Sequence, residues 1–348
     1  MNLLVTGGAG FIGSHLIRFL IGLPSIDRLV NLDALTYAGR LENLVGIHGQ
    51  HPRYAFEQVD LRHAAEVHRV VQAHDITHVI HLAAESHVDR SIEKAGVFME
   101  TNVLGTLHLL EACRLHWRDS KNHKWVHVST DEVFGSLGRE DDAFDESSSY
   151  HPNSPYSASK AASDHLVRAW HHTHGLPTIV TNASNNYGPF QFPEKLIPMT
   201  ILKVLSGEEI PLYGAGENVR DWLHVEDHCA ALWTVLEKAR IGETYCIGAG
   251  QERRNVDLMK EVCEILDEER ANLVPSLSKA VPAASLITPV RDRPGHDFRY
   301  AINSDKIRKE LGWQAEKNLH QGLRDTVRWY LRNLDWLATA SGRKLWTS

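Results

Sequence analysis

Three glycines, Gly7, Gly10 and Gly13, follow a short apolar run at the start of the chain and open a segment with helical periodicity. This spacing is typical of the turn between the first strand and the first helix of a dinucleotide-binding fold. The first glycine permits a tight turn, the second lets the backbone approach a pyrophosphate, and the third lets the helix pack on the strand. The motif therefore predicts a dinucleotide site at the helix N-terminus, where amide groups favour an anion.

A glycine motif alone also fits a flexible turn, so the residues around it matter. Asp33 lies twenty residues after Gly13, at the end of the apolar run 29–32. A carboxylate at this place accepts hydrogen bonds from both ribose hydroxyls and repels a 2′-phosphate, which favours NAD over NADP. Asp60, followed by Leu61, is a second candidate that could contact the adenine edge, although a helix N-cap explains it equally well.

Apolar runs of strand length recur through the first half of the chain, at 3–6, 28–32, 54–59, 78–82, 125–129 and 178–182, with helical patterns between them. This alternation predicts an α/β fold with a doubly wound, parallel, Rossmann-type sheet. Beyond Tyr187 the alternation fades, and glycine and proline become frequent. Residues 222–237 and 243–247 look like a helix and a strand that return to the sheet. We therefore expect an NAD-binding domain at 1–187 and 222–250, and a smaller, less regular C-terminal domain at 188–221 and 251–348.

The charge balance argues against a nucleic-acid partner, because the 348 residues carry a formal net charge of -7 and polyanion binding needs clustered Lys and Arg. The four cysteines are widely spaced, the start of the chain lacks an export signal, and no apolar run has membrane-spanning length. We therefore expect a cytoplasmic protein that binds neither nucleic acid nor a membrane. Three of the histidines, His171, His172 and His174, suggest a metal site, but their place late in a helix suits the helix dipole, and we expect no metal.

Tyr156 and Lys160 lie one turn apart in a segment that Ser154 and Pro155 would cap and start as a helix. An ammonium group beside a phenol stabilises the phenolate, so we expect Lys160 to lower the pKa of Tyr156 toward neutrality. Such a phenolate can take a proton from a hydroxyl while the adjacent carbon gives a hydride to a nicotinamide. Taken alone, however, a Tyr and a Lys at this spacing are usually surface residues.

Two adjacent carboxylates, Asp131 and Glu132, follow Thr130 just after the apolar run 125–129. The carboxyl ends of parallel strands are where open α/β sheets bind ligands. Neighbouring acids in different surroundings can separate into one protonated acid and one ionised base, which is what the elimination of water requires. The alternative is a solvated turn with a helix cap.

With these residues in place, the chain resembles the extended short-chain dehydrogenase/reductase family along nearly its whole length, and within it the sugar-nucleotide 4,6-dehydratases. The resembling segments are 6–13, 81–91, 129–135, 156–160, 184–189, 192–198, 220–223 and 292–297. The resemblance implies an NAD-dependent carbon–oxygen lyase that acts on dTDP-glucose. It also implies a homodimer whose interface includes the helices that begin near Thr101 and Pro155.

The reaction that the resemblance implies begins at C4 of the sugar. Tyr156, aided by Lys160 and Thr130, deprotonates the 4-hydroxyl as a hydride leaves C4 for NAD. Glu132 then removes the C5 proton as a base, and Asp131 protonates the departing 6-hydroxyl as an acid. The hydride returns to C6 and a proton to C5, which yields a 4-dehydro-6-deoxy sugar that feeds deoxysugars such as L-rhamnose.

The resemblance implies two sets of binding residues as well. Beside Tyr156 and Lys160, the NAD site would contain Gly7, Gly10, Phe11, Ile12, Gly13, Asp33, Ala34, Leu35, Thr36, Asp60, Leu61, Leu82, Ala83, Ala84, Glu85, Ser86, Thr101 and Asn186. The sugar nucleotide would be held by Ser86, Thr130, Asn185, Lys195, Leu196, Pro211, Leu212, Tyr213, Arg220, Asn255, Asp292, Arg293, Pro294, Gly295 and His296. The cations among them suit a diphosphate.

Several alternatives stay open at this point. A C4 epimerase or another sugar-nucleotide dehydratase would share the first oxidation, but epimerases typically lack the acidic pair after Thr130. A non-catalytic NAD-binding regulator would share the fold and could lose the reactive side chains, yet all of them are present. Arg220 alone could form an ordinary surface salt bridge. Discrimination of thymine from uracil depends on one methyl group, about 1–3 kcal/mol in an apolar pocket, and no short motif reports it.

Overall fold

Seven parallel strands form the central sheet. The computed structural model describes residues 1–117, 122–273 and 281–343. The sheet contains β1 (Asn2–Thr6), β2 (Arg28–Asp33), β3 (Tyr54–Gln58), β4 (His78–His81), β5 (Lys124–Thr130), β6 (Thr178–Ala183) and β10 (Thr244–Ile247). Their spatial order is β10-β6-β5-β4-β1-β2-β3, and every neighbouring pair is parallel. The predicted doubly wound, Rossmann-type sheet is confirmed.

Helices cover both faces of this sheet, because successive side chains of a strand point to opposite sides. One face carries α1 (Phe11–Leu20), α8 (Val225–Lys238) and α10 (Asp305–Leu311). The other carries α2 (Ala64–Ala73), α5 (Gly105–His116) and α6 (Pro155–His174). Two short helices, α3 (Val88–Glu93) and α4 (Ala95–Phe98), and a π-helical turn at Met99–Leu104 lead into α5. Leu3 and Leu4 of β1 accordingly belong to different buried clusters.

A second buried core lies outside the sheet and is built mainly from α7 (Leu196–Ser206), α9 (Asn255–Leu273), α11 (Leu319–Arg332) and α12 (Leu334–Ser341). Two small sheets accompany it. One pairs β8 (Ile210–Tyr213) with β12 (Ile287–Val290), and the other has the order β11 (Glu252–Arg254), β9 (Val219–His224), β7 (Asn185–Tyr187). Short 3-10 helices occur at Leu41–Leu44, Asp131–Phe134 and Ala283–Leu286. Residues 274–280 and 344–348 of the expected C-terminal domain lie outside the described residues.

The segment expected to return to the central sheet does so with a later start than the sequence suggested. Strand β10 pairs in parallel with β6, as expected. Trp222, however, lies in β9, which pairs with β7 and β11 rather than with the central sheet. The helix begins only at Val225, where the His224 side chain accepts a hydrogen bond from the Glu226 amide at 3.3 Å. The apolar pattern runs through this boundary, and the cap decides where the helix starts.

The parallel strands bring four connecting segments to the same edge of the sheet. The glycine motif follows β1, Leu82 follows β4, Asp131 follows β5 and Ser184 follows β6. These strands are neighbours in the sheet, so the residues that follow them share one crevice at its carboxyl edge. Among the helices of the described residues, none is both long and apolar enough to cross a membrane.

Candidate active site

The glycine motif forms a tight cradle between β1 and α1. Gly7 has a positive φ of 72°, and a Cβ added to it would lie 2.8 Å from the Ala83 Cα. A Cβ on Gly13 would lie 2.1 Å from the carbonyl oxygen of Gly7, so any side chain there would separate helix and strand. In the part of the chain that the structure describes, no side chain forms a capping hydrogen bond at the first turn of α1. Its backbone amides are therefore available to a phosphate, which is the fit that a bound dinucleotide requires.

Asp33 ends β2 beside this cradle. Its Oδ2 accepts a hydrogen bond from the Ala9 amide at 2.9 Å, and its Oδ1 accepts one from the Leu35 amide at 2.8 Å. Burial raises the pKa of this carboxyl, while the two backbone hydrogen bonds oppose the rise. Leu35 adopts a positive φ of 51° that turns its amide toward Asp33. The carboxylate is thus fixed in place with lone pairs left for two ribose hydroxyls.

Asp60 lies in the connection between β3 and α2. It pairs with the Arg62 guanidinium at 2.6 Å, and this side-chain hydrogen bond lowers the pKa of the Asp60 carboxyl. The alternative role as a helix N-cap is wrong, because α2 begins at Ala64 and His63 occupies the cap position. The Asp60–Arg62 pair instead lines the same cavity as the glycine cradle.

One cavity extends from the glycine cradle across the carboxyl edge of the sheet to the acidic pair after β5. The sequence-predicted NAD residues that line it are Gly7, Gly10, Phe11, Ile12, Gly13, Asp33, Ala34, Thr36, Asp60, Leu61, Leu82, Ala83, Ala84, Glu85, Ser86, Thr101, Tyr156, Lys160 and Asn186. Leu35 is the exception and contributes through its amide bond to Asp33. The predicted cofactor set and the predicted catalytic set therefore share one continuous space.

The cavity also contains residues that the sequence reasoning missed, including Arg62, Gln191, Phe192, Glu194 and His228. Phe192 and Glu194 lie in the motif segment 192–198, close in sequence to the predicted substrate residue Lys195. This position could have identified them as cavity residues. His228 carries no such signal: it lies inside α8 and reaches the cavity because its Nδ1 is 2.9 Å from the Asn186 Oδ1.

Helix α6 positions Tyr156 and Lys160. Ser154 and Ser157 form a reciprocal capping box around Pro155, which fixes the start of the helix as predicted. Both reactive side chains are buried, so the surface-residue alternative is wrong. The Lys160 Nζ donates a hydrogen bond to the Val128 carbonyl at 2.9 Å, and burial lowers the pKa of Lys160 to about 8.

The pKa of Tyr156 differs from the sequence-based expectation. Burial raises the pKa of the phenol well above its usual value, the carboxylates of Glu132 and Asp131 raise it further, and a hydrogen bond with Thr130 opposes them. The prediction that Lys160 brings this pKa toward neutrality is therefore wrong for the protein's own side chains. Burial is the largest cause of the raised pKa, and the two carboxylates enclosed in the same site add to it.

Asp131 and Glu132 begin the 3-10 turn that follows β5. The Thr130 hydroxyl accepts a hydrogen bond from the Glu132 amide and donates one to the Asp131 Oδ1, both at 3.3 Å. Asp131 is only 1% exposed, and its Oδ2 has no hydrogen-bond partner among the described residues. The solvated-turn alternative is therefore wrong for Asp131: Thr130 does cap the turn, but the acid lies in the cavity wall.

The two carboxyl groups have different electrostatic surroundings. Burial, and then the neighbouring Glu132 charge, raise the pKa of Asp131 well above its usual value. Burial also raises the pKa of Glu132, but Lys195, Arg220 and Arg293 all oppose the rise. Asp131 is thus favoured as the protonated group and Glu132 as the ionised one. A general acid and a general base can therefore act side by side.

Arg220 is a buried cation in β9. It is 4% exposed, and its guanidinium donates to the carbonyls of Val219 at 2.7 Å and Asp297 at 2.9 Å. The ring of Tyr300 lies 4.2 Å from its guanidinium carbon. Arg220 is buried and forms no ion pair with another described residue, so the surface salt-bridge alternative is wrong. A buried guanidinium held only by carbonyls and an aromatic ring keeps its charge available for an anionic ligand.

The other predicted substrate residues occupy two places. Ser86, Thr130, Asn185 and Lys195 line the cavity, and the Lys195 Nζ donates to the Ser86 carbonyl at 2.9 Å. The rest lie in the second lobe outside the cavity wall: Leu196 starts α7, Asn255 starts α9, Pro211, Leu212 and Tyr213 belong to β8, and Asp292, Arg293, Pro294, Gly295 and His296 follow β12.

The loop after β12 is held against the first lobe. Arg293 pairs with Asp89 of α3 at 3.5 Å, and the Asn153 side chain donates to Asp297 at 2.6 Å. His296 contacts Asp292 at 2.7 Å, and its ring centroid lies 6.4 Å from that of Tyr213. Together with the effect of Arg293 on Glu132, these contacts place the loop next to the acidic pair. The histidines at 171, 172 and 174 occupy the last turn of α6.

Comparison with known proteins gives the same picture as the geometry. Residues 4–326 match the family model of GDP-mannose 4,6 dehydratase. The chain is 54% identical over 341 residues to a dTDP-glucose 4,6-dehydratase of Neisseria meningitidis, covering 96% of this chain and 94% of that protein. It is 50% identical over 350 residues to dTDP-glucose 4,6-dehydratase 1 of Escherichia coli K12, covering 97% and 94%.

Solved structures agree with these relatives. DesIV, a dTDP-glucose 4,6-dehydratase from Streptomyces venezuelae crystallised with NAD and TYD, superposes with a TM-score of 0.87 at 44% identity and covers 98% of this chain and 100% of that one. A UDP-glucose 4-epimerase from Thermus thermophilus, crystallised with NAD, gives a TM-score of 0.81 at 31% identity, with coverages of 96% and 99%. The chain therefore belongs to the nucleotide-sugar 4,6-dehydratases of the extended short-chain dehydrogenase/reductase family, and within them to the dTDP-glucose 4,6-dehydratases.

Proposed function

We propose that the protein converts dTDP-D-glucose to dTDP-4-dehydro-6-deoxy-D-glucose and water, with the residues after Thr130 and those of α6 as its catalytic groups. The observation that carries this proposal is the unequal acidic pair. Asp131 and Glu132 line the same cavity as Tyr156 and Lys160, and only Glu132 has three cations opposing its protonation. A C4 epimerase needs the Tyr156–Lys160 pair alone, whereas elimination needs an acid and a base in addition.

In the first step, Tyr156 removes the proton of the 4-hydroxyl, and Lys160 stabilises the phenolate. The Thr130 hydroxyl, bonded to both Tyr156 and Asp131, orients the reacting sugar hydroxyl. The glycine cradle and Asp33 would hold NAD, which would supply a reversible hydride acceptor and, when oxidised, a positive charge near Tyr156.

The ketone formed at C4 acidifies the proton on C5. Glu132 removes that proton, and Asp131 gives its own proton to the departing 6-hydroxyl, so that water leaves and a C5–C6 double bond forms. Glu132 then returns its proton to C5 as C6 is reduced.

The proton balance closes through Thr130. At the end of the cycle Tyr156 holds the proton of the 4-hydroxyl, whereas Asp131 has lost one to the leaving water. The Thr130 hydroxyl is hydrogen-bonded to the phenol and lies 3.3 Å from the Asp131 Oδ1. Passage of the proton along this path restores both groups for the next turnover.

The two lobes divide the binding between them. The lobe built on the central sheet holds NAD through the glycine cradle and Asp33. The second lobe holds most of the sugar nucleotide, and Ser86, Thr130 and Asn185 contribute from the first lobe. The substrate diphosphate suits the cations Lys195, Arg220 and Arg293, which surround Glu132 electrostatically. The product is a precursor of deoxysugars such as L-rhamnose, and this biosynthesis takes place in the cytoplasm.

The test of this function is a mass measurement. Purified protein with NAD is incubated with dTDP-glucose and, in parallel, with UDP-glucose. The expected product of the thymine nucleotide is lighter by one water and carries a carbonyl at C4. An unchanged mass with inverted C4 would identify an epimerase, and absence of reaction with either nucleotide would favour a non-catalytic NAD-binding protein. The UDP-glucose arm measures the base preference.

We also propose that the chain acts as a homodimer, with an interface that includes the helices that begin near Thr101 and Pro155. Met99 and Leu104 in the π-helical turn and Leu115 in α5 are 39%, 47% and 43% exposed, so three large apolar side chains along one helical segment face water. Burying them against a second copy removes apolar surface from water. Sedimentation equilibrium should give twice the mass of one chain, and the mass of a single chain at micromolar concentration would contradict the dimer.

A further inference from the structure

Four polar side chains form a column along one face of α6. Tyr156, Lys160, Asp164 and Arg168 follow one another at intervals of four residues, so each lies one helical turn from the next. The proposed mechanism uses Tyr156 and Lys160 but gives no role to Asp164. Asp164 is nevertheless fully buried, and a buried carboxylate is costly unless it is paired and hydrogen-bonded.

The surroundings of Asp164 stabilise its ionised form. Its Oδ2 accepts hydrogen bonds from the Ser129 hydroxyl at 2.9 Å, the Tyr150 hydroxyl at 2.8 Å and the Asn182 amide at 3.3 Å. The His127 Nε2 lies 3.2 Å from its Oδ1. Burial alone would raise the pKa of this carboxyl, but His127, then Lys160 and Tyr150, bring it below its usual value. A negative charge is therefore maintained in the interior, between β5, β6 and α6.

Two histidines near this carboxylate carry no compensating charge at neutral pH. Burial lowers the pKa of His127 to about 4, so its ring is neutral at neutral pH. His81 of β4, whose ring centroid is 5.3 Å from that of His127, is neutral for the same reason, since burial lowers its pKa well below the usual value. Among the described residues, the cations connected with Asp164 that stay charged at neutral pH belong to the helix column itself.

Within this column, Lys160 lies one helical turn before Asp164 and Arg168 lies one turn after it. Arg168 is half-buried and reaches Asp164 through Tyr150, whose hydroxyl accepts a hydrogen bond from the guanidinium at 2.8 Å. Lys160 is buried, and its Nζ donates to the Val128 carbonyl. Among the described residues, the charge that opposes the effect of burial on the pKa of Lys160 is that of Asp164. The ammonium form of Lys160 therefore depends on the Asp164 carboxylate.

We propose that Asp164 is a positioning residue for the oxidation step, and that its carboxylate keeps Lys160 in the ammonium form that stabilises the Tyr156 phenolate. Asp164 does not line the cavity and acts only through Lys160. This inference rests on the proposed function, because the charge of Lys160 matters to catalysis only if Tyr156 takes the proton of the 4-hydroxyl.

The first test is the pH profile of C4 oxidation, followed as NADH absorbance in a single turnover with dTDP-glucose. In the wild-type protein, where Asp164 is present, Lys160 loses its proton near its pKa of about 8. The charge of Asp164 raises the pKa of Lys160. Removing this charge in Asp164→Asn therefore lowers the pKa of Lys160 and moves the alkaline limb of the rate profile to lower pH. A downward move of one unit corresponds to ~5-fold slower oxidation at pH 8 and almost no change at pH 6.

Tyr150→Phe is the matched control, because it removes one hydrogen bond to the same carboxylate but leaves its charge. We expect its alkaline limb to stay at the wild-type position. A purely structural role of Asp164 predicts an equal loss of rate at every pH, and that result would overturn the proposal. Failure of the wild-type protein to oxidise dTDP-glucose would instead contradict the proposed function.

The second test needs no turnover and covers the case in which Asp164→Asn does not fold. Denaturant unfolding at pH 6 is compared for Asp164→Asn, Lys160→Met and the double variant. If the carboxylate balances Lys160, an unpaired buried ammonium is what destabilises Asp164→Asn, and adding Lys160→Met restores folding or raises the unfolding midpoint. Strictly additive losses, or a double variant that unfolds like Asp164→Asn, would show that the two charges are not coupled.

Discussion

Glu132→Gln is expected to form NADH on mixing with dTDP-glucose and then to stop, with the 340 nm absorbance persisting instead of disappearing. The amide retains the size of the side chain but cannot remove the C5 proton, and Glu132 is the member of the acidic pair whose ionised form three cations favour. Loss of a general base costs ~10²–10⁴-fold in rate. Release of water, measured by mass, should fall by this factor while C4 oxidation proceeds.

Asp131→Asn separates the two carboxyl roles. In deuterated water, this variant should exchange the C5 proton of the keto intermediate for deuterium, because the base is intact, yet release no water. Glu132→Gln should fail to exchange C5. Exchange at the wild-type rate in Glu132→Gln would assign the base to another group, and exchange lost in both variants would mean that the acid and base do not act independently.

Tyr156→Phe is expected to abolish the first step itself. The change removes the phenolic oxygen that takes the proton from the 4-hydroxyl and leaves the buried ring in place. Single-turnover formation of NADH from dTDP-glucose should therefore decrease by ~10²–10⁴-fold, and the bound cofactor should stay oxidised. Measurement of substrate binding by calorimetry should show little change, because the lost interaction acts in the transition state.

Tyr187→Phe provides the comparison for this variant. Tyr187 is also fully buried, but its hydroxyl has no hydrogen-bond partner among the described residues, and it packs in the core of the second lobe. Removal of that hydroxyl should leave NADH formation unchanged. Normal turnover in Tyr156→Phe would refute the assignment of the base for the oxidation step.

Local sequence patterns predicted much of the cofactor site. The glycine spacing predicted a cradle that the structure explains sterically, since a Cβ on Gly7 or Gly13 would collide with backbone. The start of α6 was predictable because Ser154, Pro155 and Ser157 determine it within a single turn. The start of α8 was not, because the apolar pattern continues through β9, and the pairing of Trp222 with a second sheet is a long-range contact.

The electrostatics of the site depended on contacts that no local pattern contains. The pKa of Tyr156 rises because burial encloses it with Glu132 and Asp131, which are separate from it in sequence. His228 reaches the cavity only because α8 returns to lie beside the chain after β6. In the sequence, Asp164 resembles an ordinary polar helix residue, and its burial beside β5 and β6 is visible only in the structure.

By itself, the sequence determined the parallel α/β architecture, the dinucleotide cradle and the residue types that oxidation and elimination require. It could do so because helix caps, strand periodicity and glycine turns are set by neighbouring residues. The family resemblance implied which of the two adjacent acids is protonated, but only the tertiary structure supplied the physical reason and the charges around Lys160. Those properties come from burial and from charges on distant segments, which become neighbours only when the chain has folded.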